Sequence, residues 1–405
     1  MKYLLSFSAF FLLSLNLTVE ACTSIIISGK STPDGRPIMW KNRDTDTYQN
    51  AIKYFDDGKY ASIGLIDSDD PSGESVWIGY NSAGFAIMNT ASYNLIMKDS
   101  IDLKDQEGIV MREALMQCAT VAEFETFLNN HQKPLGVEAN FGVIDAVGGA
   151  AYFEVSNFSY KKLDVNDPAL APMGYMIHTN FSFTGDPNSG SGQIRYKTAE
   201  DLFYQAAQQN NLTVRFILQD VSRSLYHSLT KTDLMQSSSE NPEGQKYVNF
   251  TDFIPRYFSS AAVVIQGVKT GENVDFTTMW AVLGFPLTSV VTPLWLCMGE
   301  KQPALVTLDN NGVAPLCDKA IQLKKQLFPI KKSYGENYIN INALYNVSGI
   351  GIMQKLTPLD DMIFEKANKN LDLWRNNINF KQEIPEFYRF LDQEIGKQYM
   401  ELFGI

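Results

Sequence analysis

Histidine and basic residues are scarce in this chain of 405 residues. The histidines are three, His131, His178 and His227, so a catalytic base other than histidine is favoured, although a cysteine–histidine pair stays open. Lysine and arginine number 34 against 45 aspartates and glutamates, and the net charge of -11 argues against nucleic acid or an anionic membrane surface as a partner.

Cysteine is also sparse, with Cys22, Cys118, Cys297 and Cys317. Cys297 and Cys317 flank a polar loop, and both a disulfide in an oxidising compartment and two free buried thiols fit this spacing. No Cys-x-x-Cys or Cys/His spacing indicates a metal site. We therefore expect neither a metal nor another cofactor.

Long apolar runs are missing after the first residues, since no later stretch approaches the ~18 residues of a membrane span. The beginning has an early cation, Lys2, an apolar run, and small residues at Val19 and Ala21. This pattern predicts a signal peptide over residues 1–21 and a processing signal peptidase. The mature protein is then expected to be soluble and secreted or periplasmic.

Repeats and low-complexity linkers are absent as well, and the apolar content is that of a globular protein. The sequence predicts one domain over residues 22–357. Residues 358–405 are predicted to be a helical extension of two amphipathic helices packed on it. The polar stretch 236–245 is predicted to be a mobile loop.

Cleavage after Ala21 makes Cys22 the first residue of the mature chain. Such a residue carries a thiol and a free α-amine, and the amine titrates near pH ~7.7–8.0. The amine can therefore act as a general base for its own thiol. Nucleophile and base on one residue form a minimal unit for acyl transfer.

The run that Cys22 opens, CTSIIISG, predicts a strand, and the turn residues Pro33, Asp34 and Gly35 predict a hairpin with PIMWKNRD as the return strand. YASIGLI, SVWIGYN and GFAIMNTASYN predict further strands. ANFGVIDAVGGAAYFEV predicts two more around a glycine turn, and GYMIHTNFSF, AAVVIQGV and FTTMWAVLG each predict one.

Helices are predicted between these groups of strands. The stretch 108–118 has helical spacing, Thr120 with Glu123 reads as a capping box for a second helix, and 194–234 is predicted to be mostly helical. Runs of strands that alternate with runs of helices indicate antiparallel sheets with helices outside, an α+β layered architecture.

The opening CTSIIISGKSTPDGRPIMWKNRD resembles the N-terminal-nucleophile amide hydrolases. It is close to peptidase family C45, of penicillin acyltransferase type, which is related to the choloylglycine hydrolases and the acid ceramidase group. GYNSAGFAIMNT, NFGVIDAVGGAAYFEV, HTNFS and SGQIRYKTA extend the resemblance in the order of that family. It implies a four-layer αββα fold with two stacked antiparallel sheets, and attack on a linear carbon–nitrogen amide bond.

The resemblance also implies roles for particular residues. Cys22 matches the nucleophile, and Asp44 matches the aspartate that orients its α-amine. Asn180 matches an asparagine that donates to the tetrahedral oxyanion, and Arg195 matches an arginine near the active centre.

A second oxyanion donor is predicted at Asn89, but its register against the family is loose, so Asn81 and Asn94 stay open. Lys41 occupies the position of an arginine that lies near the thiol in choloylglycine hydrolases, and Arg43 lies beside it. Either cation is a candidate for lowering the pKa of the thiol. Lys41, Arg43 and Asn81 are the predicted substrate-binding residues.

Structural roles compete with these assignments. Cys22 also fits the acylated cysteine of a surface lipoprotein, Asp44 an exposed hairpin carboxylate, and Asn180 a turn cap. Arg195 also fits a surface salt bridge and Lys41 an outward-facing strand residue.

The sequence thus predicts an exported amidase or acyltransferase that cleaves a small acyl-amide substrate through a thioester on Cys22. A dipeptidase of the related C69 type and a non-enzymatic lipoprotein anchored through Cys22 remain the alternatives. The substrate, the choice between hydrolysis and acyl transfer, and the oligomeric state are left open.

Overall fold

The structure, a computed structural model, describes residues 21–95, 101–237 and 244–405. The predicted signal peptide, apart from Ala21, and positions 238–243 of the predicted mobile loop lie outside the described residues.

Seventeen strands and eight α-helices make up the regular structure of the described residues. The strands are β1 (Thr23–Ile27), β2 (Ile38–Asp44), β3 (Asn50–Phe55), β4 (Ser62–Asp67), β5 (Ile78–Asn81), β6 (Ala86–Ala91), β7 (Ala139–Ile144), β8 (Ala150–Val155), β9 (Tyr160–Asp164), β10 (Tyr175–His178), β11 (Tyr226–His227), β12 (Thr232–Asp233), β13 (Tyr247–Asn249), β14 (Ser259–Gln266), β15 (Thr278–Leu283), β16 (Val291–Leu294) and β17 (Tyr338–Asn340). The helices are α1 (Glu107–Gln117), α2 (Val121–Asn130), α3 (Gln193–Gln208), α4 (Val214–Phe216), α5 (Pro315–Leu327), α6 (Ile341–Leu344), α7 (Ile352–Trp374) and α8 (Ile384–Phe403).

Two antiparallel sheets form the centre of the fold. One has six strands in the order β10-β1-β2-β14-β15-β16, and the other is a seven-stranded meander from β3 to β9. The sheets pack face to face through β1 and β2 on one side and β6 and β7 on the other. The predicted hairpin of β1 with β2 is confirmed.

Helices cover both outer faces of this pair of sheets. On the seven-stranded sheet, α1 contacts β5 and β6, and Phe124 of α2 packs edge-to-face on Phe141 and Phe153. On the six-stranded sheet, α3, α5 and α7 contact β10, β15 and β16. The predicted α+β arrangement of four layers, αββα, is confirmed.

Strand β1 is buried along its whole length, which explains its continuous apolar run rather than an alternating pattern. Its Ile26 packs against the second sheet at Gly142, where an added Cβ would lie 3.1 Å from Ile26 Cδ1 and 2.7 Å from Met88 Cε. Glycine at this position therefore allows the two sheets to approach closely.

The helix predicted over 194–234 was too long. Helix α3 ends at Gln208, and the chain continues through the short α4, a π-helical turn and the two-residue strands β11 and β12. Asn210 has a φ of 52°, a left-handed conformation that asparagine tolerates and that ends a helix.

The C-terminal helices also differ in detail from the prediction. Helix α7 begins at Ile352 and passes through Pro358. The side chain of Gln354 fixes this earlier start, because its Oε1 accepts from the backbone N–H of Gly351 at 3.1 Å. The boundary predicted between residues 357 and 358 falls inside α7, and the division into domains stays a prediction.

In the two central sheets three strands were not predicted, β3, β9 and β16, and all lie at sheet edges. The short strands outside these sheets, β11, β12, β13 and β17, were not predicted either. In β9 the polar Lys161 and Lys162 blur the strand pattern, and in β16 Pro293 interrupts it.

Cys297 and Cys317 are free thiols, so no disulfide joins them. Among the described helices, none combines the length and the apolar character needed to cross a membrane.

Candidate functional site

The strand register brings three chain segments together around Cys22. Cys22 immediately precedes β1, which pairs on one side with β2, and that strand ends at Asp44. On its other side β1 pairs with β10, where Ser24 lies opposite His178. Because β10 ends at His178, the following residues reach the level of Cys22, and Asn180 is among them.

Arg195, in the first turn of α3, joins these segments by hydrogen bonds. Its Nη1 donates to the carbonyl oxygen of Cys22 at 2.7 Å and to Thr23 Oγ1 at 2.8 Å. Its Nη2 donates to Asn180 Oδ1 at 2.9 Å. Gly192, with a φ of 88°, makes room for the guanidinium, since a Cβ there would lie 2.5 Å from Nη2.

Arg195 is 1% exposed and keeps its charge at neutral pH. Burial lowers its pKa to about 10, and the neighbouring Arg256 acts in the same direction, whereas Asp44 and Cys22 oppose the shift. A cation is therefore fixed next to the backbone of Cys22 and the side chain of Asn180.

Asn180 is held by both ends of its amide. Oδ1 accepts from Arg195, and Nδ2 donates to the carbonyl oxygen of Ala91 at 2.9 Å. The side chain is fully buried. It is thus a rigid group within the Cys22 cluster, as a preorganised oxyanion donor requires, although the role itself stays a prediction.

Asp44 is 1% exposed and is not the surface carboxylate considered from the sequence. Its Oδ1 accepts from Ser259 Oγ at 2.6 Å, and its Oδ2 accepts from Arg256 Nε at 2.7 Å. The sulfur of Cys22 lies 4.0 Å from the carbonyl oxygen of Asp44. The carboxylate is therefore held in place close to the residue whose α-amine it is predicted to orient.

Lys41 and Asn89 form a second buried pair. Lys41 Nζ donates to Asn89 Oδ1 at 2.6 Å and to the carbonyl oxygen of Trp77 at 3.0 Å. Lys41 is 2% exposed, so it does not face outward. Because Lys41 holds the oxygen of the Asn89 amide, the Nδ2 donors of Asn89 point away from Lys41.

Arg43 is engaged away from this pair. It makes a bidentate ion pair with Asp67, at 2.6 and 3.0 Å, and donates to Asn50 Oδ1 at 2.6 Å. Its guanidinium lies 4.6 Å from the ring centroid of Trp77. No hydrogen bond among the described residues joins it to Cys22, and its predicted contact with substrate stays a prediction.

Asn81 organises a turn. Its Oδ1 accepts from the backbone N–H groups of Ala83 and Phe85, and its Nδ2 donates to the carbonyl oxygens of Leu115 and Cys118. These bonds tie the end of α1 to the seven-stranded sheet.

Asn94 is engaged in the same way, since its Nδ2 donates to the carbonyl oxygens of Ser182 and Asp186. Direct contacts therefore join Cys22, Asp44, Asn180 and Arg195, and Lys41 joins Asn89.

The sequence did not reveal the residues that support this cluster. Arg256 and Ser259 hold Asp44 from more than 200 positions away in the chain, and no local pattern marks them. Glu154 accepts from the backbone N–H groups of Phe183 and Thr184 and from His178 Nε2. It thereby fixes the segment that carries Asn180.

Glu154 and His178 are both fully buried as side chains. Burial disfavours the charged forms, and it lowers the pKa of His178, which stays neutral. Burial acts against ionisation of Glu154, but hydrogen bonds from His178, Thr184 and Phe183 outweigh it and lower the pKa of Glu154. A neutral histidine thus donates to a carboxylate.

An apolar cavity of about 570 Å³ lies between α3 and β10, with Tyr175, Tyr196 and Phe183 in its walls. None of the eight predicted site residues is among the described residues that line it. Within the described ranges, no group of three or more His, Cys, Asp or Glu side chains is arranged to hold a metal ion.

Residues 31–241 match the model of the acyl-coenzyme A:6-aminopenicillanic acid acyl-transferase family. The match spans just over half of the chain and includes Asp44, Asn180 and Arg195. The chain belongs to this family. It is therefore an enzyme of the amide hydrolase and acyltransferase kind, which acts on carbon–nitrogen bonds, and the resemblance to N-terminal-nucleophile hydrolases is confirmed.

Solved structures show weaker similarity. A Caenorhabditis elegans N-acylethanolamine-hydrolyzing acid amidase ortholog is 15% identical, with a TM-score of 0.36 over 60% of this chain and 92% of that chain. A variant of the conjugated bile acid hydrolase from Clostridium perfringens is 12% identical, with a TM-score of 0.39 over 68% of this chain and 93% of that chain. The penicillin V acylase from Agrobacterium tumefaciens is 14% identical, with a TM-score of 0.36 over 68% of this chain and 86% of that chain. No curated protein sequence matches the chain.

Proposed function

We propose that this enzyme is exported and that Cys22, as the first residue of the mature chain, is its nucleophile. The observation that carries the proposal is the hydrogen-bonded cluster of Arg195 with the carbonyl oxygen of Cys22 and the amide of Asn180. In a chain of an acyl-transferring family, this cluster holds a thiol, a buried cation and an amide in one place.

The proposed reaction begins with removal of residues 1–21. This step takes away Ala21, which is fully buried directly before Cys22, and creates the α-amine. Asp44 holds the amine, which accepts the proton of the thiol. The thiolate attacks the carbonyl carbon of the substrate amide, and Asn180, together with Asn89 or a backbone N–H, stabilises the oxyanion.

The tetrahedral intermediate then collapses. The carbon–nitrogen bond breaks, and the leaving amine takes its proton from the Cys22 ammonium. The acyl group remains on the sulfur as a thioester. Water, or an acceptor amine, attacks the thioester, the α-amine accepts its proton, and the thiol is restored as the acid or the new amide leaves.

The mature N-terminus tests this proposal most directly. We expect intact-mass and N-terminal sequencing of the protein purified from its native host to show a chain that begins with an unmodified Cys22. An acylated Cys22 would instead support the lipoprotein, and a start elsewhere would remove the proposed base. Membrane fractionation of the same cells is an independent test, because a lipoprotein anchored through Cys22 would be found with the membranes.

A substrate panel separates the amidase from the dipeptidase. Acyl-amides and dipeptides are incubated with the mature enzyme, and free amine is detected. We expect turnover of acyl-amides. Release of amino acids from dipeptides alone would favour the dipeptidase instead.

Replacement of Asn89 by alanine is expected to lower kcat by about 10²–10³-fold with a smaller change in KM, because it removes one oxyanion donor. Lys41→Met should show a smaller loss of the same kind, since Lys41 only orients Asn89. Steady-state kinetics on an acyl-amide from the panel measure both variants.

Lys53→Met, in the edge strand β3, is the matched control and should keep wild-type kcat. Wild-type kcat in Asn89→Ala would exclude Asn89 as an oxyanion donor.

A further inference from the structure

Lys324 of α5 has a buried ammonium group that faces three aromatic rings. Its Nζ lies 3.9 Å from the ring centroid of Tyr48, 4.5 Å from that of Tyr257 and 5.3 Å from that of Phe285. The residue is 5% exposed. In the part of the chain that the structure describes, no hydrogen-bond acceptor or carboxylate partner is found for it.

A buried amine without an acceptor is costly, because water no longer solvates its charge. Burial lowers the pKa of Lys324 to about 7, and the negative charge of Asp44 only partly opposes this shift. The faces of the three rings also favour the ammonium form. An anion placed against Nζ would supply the acceptor that the protein does not.

Lys324 opens into a cavity of about 250 Å³ that suits such an anion. The cavity is slightly smaller than the ~300–1,000 Å³ of drug-sized ligand sites, as suits a small ligand. Its walls are aromatic or aliphatic, and its charged residues are three lysines and one glutamate. Beside Lys324, the lining residues include Tyr48, Tyr257, Phe328, Lys325, Lys331 and Glu336.

The cavity is built from neighbours of the Asp44 network but contains none of the proposed catalytic residues. Tyr257 follows Arg256, which is ion-paired with Asp44. The carbonyl oxygen of Tyr48 accepts from Cys317 Sγ at 3.4 Å, which ties α5 to the chain just after β2. The cavity is therefore a separate site beside the catalytic cluster.

We infer that this cavity binds a small organic carboxylate with an aromatic or apolar body. The carboxylate accepts hydrogen bonds from Lys324 Nζ, and the apolar body packs against Tyr257 and Phe328. Lys325 and Lys331 add positive charge that outweighs Glu336. The inference does not depend on the proposed reaction of Cys22.

Binding is expected to take up a proton at alkaline pH. A bound carboxylate favours the ammonium form of Lys324. Above pH 7 the amine of the free protein is mostly neutral, so it must gain a proton when the carboxylate binds. With a pKa of about 7, the protonated fraction falls about tenfold from pH 6 to pH 8, and the affinity should weaken by about the same factor. The other titratable or charged groups around Lys324 are Tyr48, Tyr257, Cys317, Asp44, Glu336, Lys325 and Lys331.

Isothermal titration calorimetry with 3-phenylpropionate tests the site. We expect saturable binding to the wild-type protein at pH 6, about tenfold weaker binding at pH 8, and buffer-dependent heats at pH 8 that report proton uptake. Lys324→Met should weaken binding at pH 6 at least tenfold and abolish the proton uptake. Lys319→Met, on the same helix but outside the cavity lining, should change the affinity less than threefold.

Two ligand controls keep the test decisive if Lys324→Met folds poorly. On the wild-type protein, 3-phenylpropanol should not bind, and inorganic phosphate should bind more weakly than 3-phenylpropionate. Binding of the alcohol as tight as that of the acid would overturn the role of Lys324. Phosphate binding as tight as that of the organic acid would overturn the role of the apolar walls, and no saturable binding of the acid would overturn the site.

Discussion

Replacement of Cys22 by alanine is expected to lower kcat by about 10⁴-fold or more, because it removes the proposed nucleophile. The fold should be retained, because the substitution removes a single sulfur atom, whose 4.0 Å approach to the carbonyl oxygen of Asp44 is a weak contact. The backbone carbonyl that Arg195 binds is unchanged by the substitution. Turnover of an acyl-amide is the primary measurement, and intact mass confirms that the variant begins at residue 22.

Labelling by a thiol-reactive amide probe gives a second readout of the same prediction. Cys22→Ser should abolish the labelling. The other thiols are poor competitors, because burial raises the pKa of Cys118, Cys297 and Cys317 to about 12 in each case. With such a pKa, only about one in 10⁵ of each of these thiols is thiolate at neutral pH.

Cys118→Ala is the matched control. It also deletes a buried thiol, but Cys118 lies at the end of α1, which packs on the seven-stranded sheet. It should keep wild-type kcat and labelling. If activity persisted in Cys22→Ala and disappeared in Cys118→Ala or in the corresponding variants of Cys297 or Cys317, the nucleophile would lie there and the role of the N-terminal cysteine would be wrong.

Features of the fold with local causes were predictable from the sequence. The β1–β2 hairpin depends on turn residues that lie together in the chain, and Gly35 has the φ of 73° that the turn needs. Thr120 caps α2 through a hydrogen bond from the backbone N–H of Glu123 at 3.1 Å, as the capping pattern predicts.

Features that depend on distant pairing were not predictable. Nothing near Asp44 indicates that Arg256 and Ser259 hold it, because their approach depends on the pairing of β14 with β2. Burial of Lys41 has the same origin. The interpretation of Lys41 as an outward-facing residue assumed a sheet with one solvated face, whereas both faces of β2 are covered.

The candidate site shows the same division. The sequence motifs selected Cys22, Asp44, Asn180 and Arg195, and the structure brings these four together. The motifs carry no information on which side-chain atom meets which partner. The pairing of Lys41 with Asn89 and the turn-forming bonds of Asn81 therefore appear only in three dimensions.

Replacement of Arg195 by methionine is expected to lower both activity and stability. It leaves the buried carbonyl oxygen of Cys22, Thr23 Oγ1 and Asn180 Oδ1 without their charged donor. Breaking a buried charged network in this way typically lowers the free energy of unfolding by about 3–5 kcal/mol. Denaturant unfolding measures this loss, and Arg215→Met, at an exposed pair with Asp361, should cost less than about 1 kcal/mol.

The effect of Arg195 on activity is separable from its effect on stability. Arg195→Lys keeps a charge and fills much of the volume, but one ammonium cannot reproduce the planar fork that joins Cys22 to Asn180. We expect it to recover part of the lost stability while kcat stays about 10²-fold or more below wild type, because the amide of Asn180 is no longer aligned with the thiol. Recovery of kcat in proportion to stability would show that Arg195 supports the fold alone. A persistent loss of kcat in a stable Arg195→Lys variant would instead identify Arg195 as the residue that positions Asn180 against Cys22.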